Sequence, residues 1–96
     1  MIELYQAEWC PHSRKVRQRM TELGVDFIAR QVEAEPQDRE AMKDRTGENE
    51  TPVLLVDDEV VAGEDNVLKY LDEHFDERPD ADQHREKALD KAGLPG

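Results

Sequence analysis

Hydrophobic positions along the chain change their spacing several times, and each change marks a boundary between elements. Residues Ile2 to Gln6 alternate, with Ile2 and Leu4 on one side, which is the period of a strand. Val16, Met20 and Leu23 then recur at intervals of four and three, the spacing of one helix face, while Arg14, Arg17, Arg19 and Glu22 fall outside that stripe. Pro11 suits the first helical position, where its missing N–H costs nothing, and Gly24 suits the C-terminal cap. Val25 to Val32 alternates again, Phe27 and Ala29 against Ile28, and predicts a second strand. Strand, helix and strand make a βαβ unit with a right-handed crossover. Pro36 opens a polar helix to about Arg45, with Ala41 and Met42 as its inward candidates and Gly47 as its end.

Thr51-Pro52 begins the most apolar stretch, Val53 to Val56, and an uninterrupted run of this kind suits a strand covered on both faces. Asp57-Asp58 reads as a hairpin turn, with Glu59 to Ala62 returning antiparallel. Gly63 breaks the strand, and Val67, Leu68, Leu71 and Phe75 form a second helical stripe. The predicted order is βαβαββα, an α/β fold with one mixed four-stranded sheet and helices on both faces. Beyond Glu77 the pattern weakens. Asp80 could cap a last helix running through Lys91 and ended by Gly93, with Leu89 as its strong apolar anchor. The chain therefore divides into a domain over 1–76 and an acidic segment over 77–96, for which a docked helix and a flexible tail are both open.

Composition narrows the partners. Among 96 residues, 24 acidic and 13 basic side chains leave a formal net charge of −11, which repels nucleic acid and anionic membranes; neither is expected as a partner. Charged residues make up 39% of the chain but are interleaved with apolar ones at regular spacing, so a folded domain with a charged surface is expected. Five lysines against eight arginines give an acidic, lysine-poor surface that suits concentrated salt, where screening removes self-repulsion. A salt-loving prokaryote fits this composition, and an ordinary acidic protein is the alternative. No apolar run approaches the roughly 20 residues needed to cross a bilayer, and no signal peptide precedes the first strand. A cytoplasmic monomer is expected.

One cysteine excludes a disulfide framework or a cysteine-cluster metal site within one chain. Cys10 stands where the first strand gives way to the first helix. The unpaired N–H groups and partial positive charge of a helix start stabilise an anion, and such surroundings lower a thiol from about 8.5 to roughly 3.5–7.5. Ser13, one turn on, could donate its hydroxyl to the sulfur; Arg14 and Lys15 add positive charge nearby, opposed by Glu8. A lone cysteine is commonly a small buried hydrophobe, but an exposed turn beside a proline is an unusual place for one. His12 reads as a solvated helix residue with proton transfer as the alternative, and Trp9 as a packing lid that could also touch a ligand. His74 and His84 lie on polar segments, and no metal constellation is visible.

These residues carry a family resemblance. Trp9-Cys10-Pro11-His12-Ser13 after a first strand resembles the active-site turn of the thioredoxin superfamily in its glutaredoxin form, Cys-Pro-x-Cys/Ser. Thr51-Pro52 opening the third strand resembles that superfamily's cis-proline. Gly63-Glu64-Asp65 followed by Val67, Leu68, Tyr70 and Leu71 resembles the Gly-Gly-x-Asp stretch of glutaredoxins, and equally the Glu-Ser…Tyr-Leu stretch of the glutathione transferase N-terminal domain. The resemblance covers residues 1–76 and implies a thioredoxin/glutaredoxin-like fold.

It also implies roles. Cys10 is the nucleophile, assisted by Ser13. Trp9, Pro11 and His12 border the bound thiol compound, Thr51 and Pro52 pair its backbone like an added strand, and Glu64 and Asp65 receive its γ-glutamyl end; an ordinary helix N-cap is the alternative for Asp65. Glutaredoxins carry a lysine three residues before the cysteine, where this chain has Ala7, so γ-glutamylcysteine suits as co-substrate as well as glutathione. Ser13 in place of a resolving cysteine makes the mechanism monothiol. The expectation is a thiol–disulfide oxidoreductase that reduces protein mixed disulfides with a low-molecular-weight thiol. The alternatives are an iron–sulfur cluster carrier, whose usual Cys-Gly-Phe-Ser differs from Pro11-His12, and a non-catalytic thiol-binding adaptor like a transferase N-terminal domain.

Overall fold

A computed structural model describes residues 1–91. Strand β1 (Ile2–Gln6) leads into helix α1 (Pro11–Glu22), then β2 (Ile28–Gln31), a 3-10 turn over Pro36–Asp38 and helix α2 (Glu40–Thr46). The hairpin β3 (Val53–Val56) and β4 (Glu59–Ala62) follows, then helices α3 (Glu64–His74) and α4 (Ala81–Lys91). The sheet order is β2-β1-β3-β4, with β1 parallel to β2 and antiparallel to β3, and β3 antiparallel to β4. This is the expected mixed four-stranded sheet in the βαβαββα order.

Helices cover both faces because the two central strands are apolar on both sides. Leu4 and Leu54 meet Val16, Met20, Val67 and Leu71 of α1 and α3 on one face. Tyr5, Val53 and Leu55 meet Met42 of α2 on the other. The first helix ends as its glycine requires: Gly24 adopts φ 66°, its N–H bonds the Thr21 carbonyl at 3.1 Å, and the Val25 N–H bonds Met20 at 2.9 Å.

Three expectations are corrected. The second strand is shorter than Val25–Val32, because an edge strand ends where its partner does: Ile28–Gln31 pairs only with Glu3–Gln6. Val25 and Phe27 still pack against the core, but from the connection ahead of the strand. The helix expected from Pro36 to Arg45 is interrupted at Arg39 (φ −86°, ψ 61°), and Ala41 points to solvent, leaving Met42 as its buried apolar contact. Finally, Leu89 does not anchor α4, being 79% exposed.

Charge attaches α4 instead. Glu22, predicted to lie outside the apolar stripe, is 6% exposed beneath a network joining four segments. Arg19 bonds Glu22 and Asp72, each at 2.8 Å, and also Glu77. Arg85 of α4 bonds Glu22 at 2.8 Å and Glu77 at 2.7 Å. Buried Ala81 seats the start of the helix. Gly93, the expected end, lies outside the described residues.

A second ionic cluster sits on the α2 side of the sheet. Glu3 is 3% exposed and accepts from Arg30 at 2.8 Å and Arg45 at 2.7 Å. The Arg45 hydrogen bond outweighs burial, which opposes it, and with Arg30 brings the carboxyl from 4.5 down to about 2. A depressed carboxyl contributes stability above its unfolded value and loses it as pH falls through its folded one. Glu3→Gln is therefore expected to flatten the loss of stability between pH 4.5 and about 2, as read by urea denaturation at a series of pH values.

Candidate functional site

The turn ahead of α1 is built to hold a sulfur. The Cys10 N–H closes the turn on the Ala7 carbonyl at 3.1 Å, and the Arg14 N–H bonds the Cys10 carbonyl at 3.0 Å. Cys10 is thereby the N-cap of α1, with extended backbone (φ −76°, ψ 118°), and Pro11 takes the first helical position. Its Sγ fills the place of a capping oxygen and accepts the Ser13 N–H at 3.5 Å.

Ser13 is wholly buried, and its hydroxyl is oriented from behind: Oγ accepts the Ala7 N–H at 3.3 Å, leaving its own proton for the sulfur. Burial alone would push the Cys10 thiol up. Hydrogen bonds from the Ser13 hydroxyl and N–H, the Thr51 hydroxyl and the His12 N–H outweigh it and bring the thiol from 9.0 down to about 7. The sulfur is thus a substantial part thiolate at neutral pH.

Several expectations about this turn change. Cys10 is not exposed: the residue is 6% accessible, while Trp9 beside it is 66% accessible and so is no packing lid. The sulfur's ionisation rests on hydrogen bonds, and neither Arg14 nor Lys15 is among its main causes. Lys15 turns to Glu64 at 3.7 Å, and Arg14 borders the cleft between α1 and α4 with Leu68 and Ala88. Thr51 was expected to offer only its backbone, and its hydroxyl is the partner the sequence did not reveal, 41 positions away from Cys10.

A groove of about 480 Å³ lies beside this turn, lined by Thr51 and buried Pro52, by His12, and by Gly63 to Asn66 at the start of α3. The Thr51-Pro52 peptide is cis. The Pro52 carbonyl accepts the Gly63 N–H at 3.0 Å, which ties the β3 opening to the start of α3. Among the described residues the backbone of Thr51 takes no backbone partner, so its N–H and C=O remain available to an extended ligand.

The start of α3 divides the roles of its two acids. Gly63 (φ 91°) is the N-cap and supplies no side chain, so Asp65 is not the cap and the first N–H groups of the helix face the groove uncapped. Glu64 is already engaged: its Oε1 lies 2.7 Å from Nδ1 of His12, and its Oε2 lies 3.7 Å from Nζ of Lys15. The His12 hydrogen bond chiefly, with charge from Lys15, holds the Glu64 carboxyl below its usual range. His12 is therefore more than a solvated helix residue, since it clasps α1 to α3. Asp65 is exposed and has no ion pair among the described residues. No group of three metal-ligating side chains gathers among the described residues.

The Glutaredoxin family model matches residues 2–61, which span both the Cys10 turn and the Thr51-Pro52 corner. A glutaredoxin-like 8.6 kDa protein encoded in the rubredoxin operon of Clostridium pasteurianum is 25% identical over 63 residues, 66% of this chain and 84% of its own. A glutathione S-transferase from Rhodospirillum rubrum F11 superposes with a TM-score of 0.66 at 30% identity, over 78% of this chain and 34% of its own. A thioredoxin-like protein superposes with a TM-score of 0.63 at 25% identity, over 76% of this chain and 96% of its own. The chain thus spans about a third of the transferase and nearly all of the small thioredoxin-like protein.

Proposed function

The chain belongs to the glutaredoxin family, and from that premise we propose that it is a monothiol thiol–disulfide oxidoreductase working with a γ-glutamyl thiol in the cytoplasm. The observation that carries this reading is Cys10 Sγ at the start of α1, capped by the Ser13 N–H and brought down to about 7, beside an open groove lined by His12, Thr51 and Pro52.

The Cys10 thiolate attacks the small-thiol sulfur of a protein mixed disulfide. The S–S bond breaks, the protein thiolate leaves and takes a proton, and Cys10 is left disulfide-bonded to the small thiol. With one cysteine in the chain, a second small thiolate must attack that disulfide at the bound small-thiol sulfur. It releases the oxidised small-thiol dimer and restores the Cys10 thiolate. The second small-thiol sulfur is oxidised and the protein sulfur is reduced, while the first small-thiol sulfur passes from one disulfide to the other unchanged, so electrons balance without a further reductant.

The groove supplies the orientation. Thr51 pairs the backbone of the small thiol through its N–H and C=O, which take no backbone partner among the described residues. The uncapped N–H groups of α3 take the γ-glutamyl carboxylate, and Asp65, which has no ion pair among the described residues, takes the amine. Glu64 holds the wall of the groove through His12 and Lys15. No side chain at Ala7 reaches for a glycine carboxylate, so glutathione and γ-glutamylcysteine both suit.

The test is a mixed-disulfide reduction assay with either γ-glutamyl thiol, compared with cysteamine, which lacks the γ-glutamyl group. Asp65→Ala is expected to raise KM for the γ-glutamyl thiol roughly tenfold to a hundredfold, the range of a lost charge-assisted hydrogen bond, while leaving the cysteamine rate unchanged. An equal loss with both thiols would contradict the assignment of Asp65. The low exposure of Cys10 and the likeness to a transferase favour a second reading, a non-catalytic thiol-binding adaptor. Absence of any turnover by the wild-type protein would select it.

A further inference from the structure

The mechanism leaves one buried charge without a purpose. Arg39 is 2% exposed, yet none of its hydrogen bonds goes to a carboxylate. Its Nε donates to the Glu33 carbonyl at 2.8 Å, one terminal nitrogen to the Asn49 carbonyl at 2.9 Å, and the other to the Ala34 carbonyl at 3.1 Å. Burying a guanidinium on neutral oxygens is costly, and an apolar residue of similar volume would fill the same space at lower cost. What an apolar residue could not do is join two stretches of chain by main-chain bonds of fixed direction. The planar fork of arginine suits that task.

The stretches it joins are informative. Glu33 and Ala34 lie in the connection leaving β2, whereas Asn49 lies two residues before Thr51. The staple is closed from the other side by Nδ2 of Asn49, which donates to the Pro36 carbonyl at 3.3 Å. The stretch between α2 and Asn49 is held as well: the Glu48 N–H donates to Oγ1 of Thr46 at 3.1 Å, and that hydroxyl also bonds Met42. Arg39 therefore fixes the last residues of a loop that leads into Thr51, which lines the groove beside the Cys10 turn together with His12. The bend in the backbone at Arg39, which separates the 3-10 turn from α2, is what lets the side chain turn inward to reach both stretches.

We infer that Arg39 is a positioning residue for the reactive sulfur, acting through the 49–51 segment to hold the Thr51 hydroxyl on Cys10 Sγ. It touches neither the sulfur nor the groove that receives the thiol compound. The inference rests on the reading of Cys10 as the reactive group, and its test separates the two.

The readout is the pH midpoint of Cys10 alkylation by iodoacetamide, which a purely structural role for Arg39 would leave in place. Thr51→Val is expected to raise the midpoint by about half to one pH unit, as loss of one hydrogen bond to the thiolate should. Arg39→Met is expected to raise it by a similar amount, and Arg39→Met combined with Thr51→Val to raise it no further than Thr51→Val alone. Arg39→Lys, which keeps the charge and most of the volume but loses the planar fork that reaches both stretches, is expected to move it in the same direction; it carries the test if Arg39→Met does not fold. An unchanged midpoint in whichever of Arg39→Met and Arg39→Lys folds, with Thr51→Val shifted, would overturn the role of Arg39 and leave the Cys10 site standing. An unchanged midpoint in Thr51→Val would overturn both the route from Arg39 and the place of Thr51 in the site. Additive shifts in the double variant would overturn the claim that Arg39 acts through Thr51.

Discussion

Serine in place of Cys10 is expected to reduce mixed-disulfide turnover to the uncatalysed background. The chain has no other sulfur that could form the covalent intermediate, since Cys10 is its one cysteine. A serine hydroxyl stays protonated at neutral pH and does not attack disulfides, so no partial activity should remain. The loss should not come from unfolding. Serine is a preferred N-cap, and its oxygen can accept the Ser13 N–H that the sulfur now takes at 3.5 Å. Cys10→Ser should therefore keep wild-type circular dichroism and a thermal midpoint at or slightly above that of the parent. Turnover of a protein–small-thiol mixed disulfide, followed by release of the protein thiol, checks the first point, and a thermal scan checks the second. Residual turnover in a well-folded Cys10→Ser would remove the cysteine from the chemistry.

Ser13→Ala carries the second large effect, and its sign reverses with pH. Ser13 supplies two of the bonds that offset the burial of the sulfur, and alanine removes the hydroxyl while keeping the N–H. The Cys10 midpoint should then rise from about 7 by roughly one pH unit. Below both midpoints the thiolate fraction falls about tenfold, and the exchange rate falls roughly threefold once the greater nucleophilicity of the more basic thiolate is counted. Above both midpoints the order changes, because a more basic thiolate is the better nucleophile; a Brønsted slope of about 0.4–0.5 makes the variant roughly threefold faster there. Rate profiles of the two proteins that cross are expected. A uniform loss at every pH would mean that Ser13 acts only by holding the Ala7 N–H, which it accepts at 3.3 Å, and so by shaping the turn.

The parts of this fold that could be read from the chain are those set by local pattern. The strand at Ile2–Gln6, the helix opened by Pro11 and closed at Gly24, and the hairpin around Asp57-Asp58 all follow from period and turn chemistry within a dozen residues. What escaped depends on partners distant in sequence. The length of β2 is set by where Glu3–Gln6 ends, and the break before α2 by an arginine reaching carbonyls at Glu33 and Asn49. The attachment of α4 depends on Glu22, a residue that reads as solvent-facing until Arg19 and Arg85 are brought over it. Leu89 was the natural apolar anchor on sequence alone, and the ion network left it in solvent.

The site divides along the same line. Cys10, Pro11 and Ser13 share one turn, and their relation is fixed by helix geometry, so proximity of the serine to the sulfur was legible. The nearness of Thr51 to the sulfur and of His12 to Glu64 is created by the sheet and by α1 lying beside α3. Charge near in sequence is a poor guide to charge near in space: Lys15, expected to act on the sulfur, turns to Glu64 instead. The two acids at the start of α3 look interchangeable as letters. What separates them is that Glu64 is bonded to His12, whereas Asp65 has no ion pair among the described residues.

The central claim is that a sulfur almost closed to solvent is held partly ionised by hydrogen bonds from two hydroxyls and two N–H groups. The direct measurement is the rate of Cys10 alkylation as a function of pH in the wild-type protein. A single transition centred near pH 7, with the fast form above it, is the predicted result. A transition near pH 9, or a thiol that fails to react until the protein is unfolded, would contradict it.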